Sequence, residues 1–72
     1  MKTYRIQMYA NGVCIRDFNK NLENVYEELV IRAIRNKALI TKIKNGKKGW
    51  ELLYPTWQDI ERHVLIFELG ES

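Results

Sequence analysis

Between Lys2 and Phe18 apolar and polar residues alternate, interrupted at Asn11 and Gly12. Alternation with a period of two marks a half-buried strand, and an Asn-Gly pair tolerates the positive φ angles of a tight hairpin turn. The pattern predicts a hairpin of Lys2 to Ala10 and Val13 to Phe18. If Ala10 pairs with Val13, one face carries Tyr4, Ile6, Met8, Ala10, Val13 and Ile15, and this is the expected core face. The other carries Arg5, Gln7, Tyr9, Cys14, Arg16 and Phe18.

The spacing then changes. Leu22, Val25, Tyr26, Leu29, Val30, Ala33 and Ile34 recur at three- and four-residue intervals, which predicts a helix through about Arg35. Asn19 or Asn21 is its expected N-cap and Asn36 its left-handed terminator. Leu39 to Lys44 and Trp50 to Tyr54 enclose Asn45, Gly46, Lys47 and Lys48, which reads as a second hairpin. A four-residue loop puts Leu39, Thr41, Ile43, Trp50, Leu52 and Tyr54 on the core face and sets Lys42 opposite Glu51. Pro55 breaks the chain, and Thr56 with Asp59 is expected to cap a short helical turn through about Glu61. His63 to Leu69 is a continuous β-rich run that would make a poorly amphipathic helix, so it is read as a strand covered on both faces. The expected fold is a single α+β domain over residues 1–72, in the order β-β-α-β-β-β, with one helix on one face of an antiparallel sheet.

Composition narrows the class without naming a function. At 72 residues, 46% hydrophobic and 29% charged, the chain has ordinary globular values and room for one core only. Such a domain buries about 60% of its unfolded surface, so a deep active site would compete with the core for residues. The lone Cys14 cannot form an internal disulfide, which points to a reducing, cytoplasmic setting. No apolar run reaches the ~20 residues of a membrane span, and neither a membrane nor an export signal is expected.

Net charge is +3, and its distribution is uneven. Residues 1–28 balance four cations with four acids; residues 29–50 hold seven cations, Arg32, Arg35, Lys37, Lys42, Lys44, Lys47 and Lys48, and no acid; residues 51–72 set Arg62 against five acids. A basic block followed by an acidic tail fits a surface for an acidic partner, a self-complementary dimer, or adjacent strands that simply pair their charges.

On the expected pairing, the uncovered sheet face shows Arg5, Tyr9, Arg16, Phe18, Lys42 and Lys44, with Lys47 and Lys48 at the hairpin tip. Aromatic faces that stack bases, mixed with cations that neutralise phosphates, are how single-stranded nucleic acid is held. Exposed strand lysines also guard a sheet edge against pairing, so the pattern is not specific. Arg32 and Arg35 fall on the helix, across the sheet from this face. Ile40, Leu53, Val64 and Ile66 are expected on the same open face, more apolar surface than a small monomer leaves bare, and a partner protein or a second copy would cover it.

Other chemistry is thin. Asp59, Glu61 and His63 alternate and would point to one side of an extended chain, but a metal site lacks a fourth ligand. Cys14 with His63 is the minimum for a thiolate and base, with no local motif around it, so a small semi-buried thiol is expected. Asn45 to Gly49 lacks the spacing of a phosphate loop. Trp50, Tyr54 and Phe67 are expected to pack against Tyr26, Leu29 and Ala33, whereas Trp57, in the loop after Pro55, is a candidate interaction anchor.

The sequence therefore reads as a non-catalytic binding module with no cofactor, no metal and no small-molecule substrate. Its expected partner is nucleic acid, or an acidic protein that handles nucleic acid and is blocked by occupancy. Homodimerisation through the open face, without nucleic-acid contact, is the alternative.

Overall fold

The computed structural model describes residues 1–42 and 49–71. The elements are β1 (Lys2–Ala10), β2 (Val13–Leu22), α1 (Val25–Asn36), β3 (Leu39–Lys42), β4 (Gly49–Leu53) and β5 (Arg62–Glu71). The strands form one antiparallel sheet in the order β2-β1-β5-β4-β3, so β5 closes the gap between two hairpins. The α+β architecture and the β5 strand are as the hydrophobic pattern predicts.

The first turn is set by its two residues. Asn11 and Gly12 have φ of 50° and 79°, both in the region that the twist of a two-residue hairpin requires. Asn11 is tied further: its N–H donates to the Glu61 carbonyl at 2.7 Å, and its Oδ1 accepts from the Glu61 N–H at 2.9 Å. These bonds lock the hairpin tip to the entry of β5.

Beyond the tip, the pairing departs from simple alternation. Ala10 pairs with Val13 and Tyr9 with Cys14, but Met8 then pairs with Arg16, leaving Ile15 as an extra residue in β2. A bulge of this kind switches every later side chain of the strand to the opposite face. Phe18 consequently lies opposite Ile6 and packs against the core, while Val13 and Ile15, expected inside, are 64% and 59% exposed.

β2 also runs past Phe18 to Leu22, which pairs with Lys2 and is buried. Asn19 and Asn21 are therefore strand residues rather than caps, and Asn21 Oδ1 accepts from the Thr3 hydroxyl at 2.7 Å. Asn24 caps α1 instead, its Oδ1 accepting from the Glu27 N–H at 3.1 Å. The left-handed residue at the helix end is Lys37, φ 54°, and Asn36 remains helical with its amide donating to the Arg32 carbonyl.

α1 buries Val25 and Leu29 and half-buries Ala33, while Tyr26, Ile31 and Ile34 stay exposed. The core comprises Tyr4, Ile6, Leu22, Val25, Leu29, Leu52, Val64 and Ile66, with Met8, Phe18, Ile40, Trp50 and Tyr54 packed around it. Trp50 and Tyr54 thus join the core as expected, whereas Phe67 lies on the other side of the sheet. At ~1.5 Å per residue the 12-residue helix is about 18 Å long, against a longest molecular dimension of 39 Å. The turn end of the first hairpin therefore extends beyond its cover.

The second hairpin is displaced by one residue from its expected register. Lys42 pairs with Trp50 and Thr41 with Glu51, so Ile40 shares the helix side with Leu52, and Leu39 with Thr41 shares the open side with Leu53. Burying Ile40 beside Leu52 outweighs keeping Glu51 opposite a lysine, in line with the small value of exposed ion pairs. Likewise Val64 and Ile66 are buried under the helix, and Leu65 and Phe67 take the open side. Lys44, Lys47, Lys48 and Ile43 lie outside the described residues, as does the Lys42 side chain.

No helical turn follows Pro55. Trp57 and Ile60 exchange backbone hydrogen bonds of 3.2 and 3.0 Å across Gln58 and Asp59, whose φ angles are 50° and 62°. This is a second tight turn, made by two residues that carry side chains and each bear a left-handed strain of about 1–2 kcal/mol.

Candidate binding groove on the helix side

The bulge at Ile15 separates the residues expected on one basic face. Arg5 and Tyr9 are on the open side; Arg16 and Phe18 are on the helix side. The two sides differ in how their charges are satisfied.

On the open side, Asp17 lies opposite Gln7 and reaches Arg5 through two hydrogen bonds, Arg5 Nε to Oδ1 at 3.0 Å and an Arg5 terminal nitrogen to Oδ2 at 2.7 Å. The Gln7 amide donates to the same carboxylate at 3.2 Å. The hydrogen bond from Arg5, with that from Gln7 behind it, holds Asp17 down at about 2, and Asp17 in turn raises the Arg5 guanidinium. Tyr9 donates to Gln7 Oε1 at 3.3 Å and stacks on His63, with ring centroids 4.6 Å apart and planes 4° from parallel. Arg5 and Tyr9 are thus engaged within the chain.

On the helix side, the cations are differently placed. The Arg16 guanidinium lies 4.8 Å from the Phe18 ring centroid, and that of Arg62 lies 5.3 Å from the Tyr54 centroid. A guanidinium over an aromatic ring is held in orientation by the ring quadrupole, while its in-plane N–H groups remain free to donate. Lys20 of β2 and Glu28 and Arg32 of α1 line a cavity floored by Ile6, Val64 and Ile66. Its volume of about 20 Å³ admits one water molecule, so any larger ligand would lie across the groove, not within it. Arg35 follows Glu28 by seven residues, on the helix flank that Glu28 and Arg32 turn to the groove. Arg16, Lys20, Arg32, Arg35 and Arg62 make no ion pair with any other described residue.

No known protein family, curated protein or solved structure matches this chain. The groove must be read from its own chemistry.

The remaining candidates separate. Among the described residues, no group of three or more His, Cys, Asp or Glu could hold a metal ion, and Asp59 and Glu61 are exposed while His63 stacks on Tyr9. Cys14 is exposed rather than semi-buried; it and His63 flank Tyr9 on opposite neighbouring strands, and its Sγ approaches the Arg16 carbonyl at 3.3 Å. Trp57 is 63% exposed on its tight turn. Among the described residues no helix is long and apolar enough to cross a membrane. Lys20 and Arg62 were invisible as site residues because neither stands in a basic run; only the sheet order brings β2 and β5 onto either side of β1.

Proposed function

We propose that this chain is a non-catalytic binding module of the cytosol that holds single-stranded nucleic acid across the groove between α1 and the β1–β2 hairpin. The observation that carries this reading is that Arg16, Lys20, Arg32, Arg35 and Arg62, five cations from three elements, make no ion pair with another described residue, Lys20 and Arg32 lining the groove itself and Arg16 and Arg62 held over aromatic rings. Unpaired cations neutralise phosphates with release of counterions, and guanidinium planes stack on unpaired bases. The shallow groove favours occupancy over chemistry. The free Cys14 accords with a reducing compartment.

A second reading has its own support. Val13 and Ile15 are exposed beside Arg16, and aliphatic surface rimmed by arginine suits an acidic protein, such as one that handles nucleic acid and would be blocked by occupancy. Fluorescence anisotropy with single- and double-stranded oligonucleotides across a salt series separates the two. The expected result is tighter binding of single strands, a steep salt slope, and loss of both in Arg16→Glu with Arg32→Glu. Absence of binding to either oligonucleotide at low salt would remove the nucleic-acid reading and leave the acidic protein.

A further inference from the structure

The open face of the sheet remains outside the groove, and it has a definite pattern. Three rows of side chains cross the strands: Arg5, Phe67 and Gly49; Gln7, Leu65, Glu51 and Thr41; Tyr9, His63, Leu53 and Leu39. Leu39 is 68% and Leu53 41% exposed, and Leu65, Phe67 and Tyr9 are only half-covered. Arg5 is neutralised by Asp17, so Glu51 is the unpaired charge of these rows among the described residues.

We propose that this face is the interface of a two-fold homodimer in which β5 of each copy lies over β5 of the other. Three features favour a second copy as the occupant. The first is symmetry. An axis running along β5, between the two sheets, exchanges the positions of β1 and β4, because these strands flank β5 on either side. Leu65 then meets its own copy, and Glu51 of one copy lies over the Gln7 row of the other. Arg5 is one side-chain step from Gln7 along β1, about 7 Å away, within reach of that carboxylate. Each copy thus sets its Glu51 over the donors of the other's Arg5–Gln7–Asp17 cluster, and the contact repeats itself across the axis as an isologous one requires.

The second feature is charge. On this face Arg5 and Asp17 cancel and only Glu51 is left, so two copies approach with little repulsion, whereas the helix side carries five cations outside any ion pair against Glu28 in the groove and would repel itself more strongly. The third is size. Five strands at ~4.8 Å and the length from Thr3 to Tyr9 at ~3.4 Å per residue give roughly 500 Å² per partner in projection, about 1,000 Å² in all, the lower bound of a specific contact. Two twisted sheets pack in this way about 10 Å apart, with the Leu and Phe rows interdigitating.

The test is sedimentation equilibrium from micromolar to millimolar protein at moderate salt. The wild type is expected to rise from 8.6 kDa to twice that mass. Leu65→Arg should remain at the single-chain mass with an unchanged circular dichroism spectrum, and Glu51→Arg, which spares the apolar rows, should weaken association at least about tenfold by facing Arg5. Arg16→Glu with Arg32→Glu should leave the mass unchanged, so failure of the groove reading does not disturb this one. A wild type that stays at 8.6 kDa throughout, or a Leu65→Arg variant that associates as the wild type does, would overturn the proposal.

Discussion

The two sides of the sheet are built from the same strands and use their charges in opposite ways. On the open side Arg5, Gln7 and Asp17 close a hydrogen-bonded cluster, and Tyr9 and His63 cover each other. On the helix side Lys20 and Arg32 line an apolar floor together with Glu28, Arg16 and Arg62 lie over Phe18 and Tyr54, and none of these cations makes an ion pair with another described residue. The difference originates in one residue. Were Ile15 paired with Met8 instead of bulged, Asp17 would fall under the helix and Arg16 and Phe18 would face outward, leaving Arg5 without its acid. Local register, more than composition, decides which face of a small sheet has charge to offer a partner.

The comparison can be broken first through the helix. Leu29 is fully buried between α1 and the sheet, and Leu29→Ala is expected to cost about 2–5 kcal/mol, read as a shift of the urea midpoint. Binding to oligonucleotides should fall with the folded fraction because half of the groove goes with the helix. A change under 1 kcal/mol would mean that α1 is not docked as described.

Phe18 sharpens the contrast between sides. Half-buried against Ile6 and under Arg16, it should cost about 2 kcal/mol on Phe18→Ala, roughly half the loss of a fully buried ring. Asn19→Ala, the next residue and on the other side, should be close to neutral. Equal effects at the two positions would contradict the bulge. Asn24→Ala follows at about 1 kcal/mol, from loss of the cap on the Glu27 N–H, seen in thermal unfolding. Next in size, Gln58→Gly should raise stability by roughly 0.5 kcal/mol, the left-handed strain relieved less the added entropy of the unfolded chain.

The smallest effect is the pH dependence of the open-side cluster. Asp17 is lowered to about 2 in the folded chain, so its contribution is present above the ordinary carboxylate range and is lost as pH falls through that range toward 2. Asp17→Asn should flatten that part of the stability profile and leave the neutral-pH groove untouched. An unchanged acid limb in the variant would show that the Arg5 pair does not persist in solution.

How far the sequence could be read follows from where the information is local. The Asn11–Gly12 turn, the extent of β1, the spacing of Val25, Leu29 and Ala33, and the β-rich run of β5 were legible because each is fixed by neighbours in the chain. The bulge was not, since Val13 and Ile15 look like core residues until Phe18 and Leu22 compete for the same side and win by size and position. The β3–β4 register likewise depends on β5, which lies beyond that hairpin in sequence and supplies Val64 and Ile66 as packing partners. Of the candidate site, Arg16 is legible as a residue but not by its side, and Arg32 and Arg35 are legible as helix residues, across the sheet from the face on which simple alternation puts Arg16. They belong with Arg16 only once the strand has slipped.

The most direct test of the groove is a titration of labelled protein with a single-stranded oligonucleotide followed by amide chemical shifts. The account predicts that the perturbed amides cluster at Arg16, Lys20, Arg32, Arg35 and Arg62, with Arg5, Gln7 and Leu65 unmoved. Perturbations centred on Arg5, Gln7 and Leu65, with the groove silent, would contradict it.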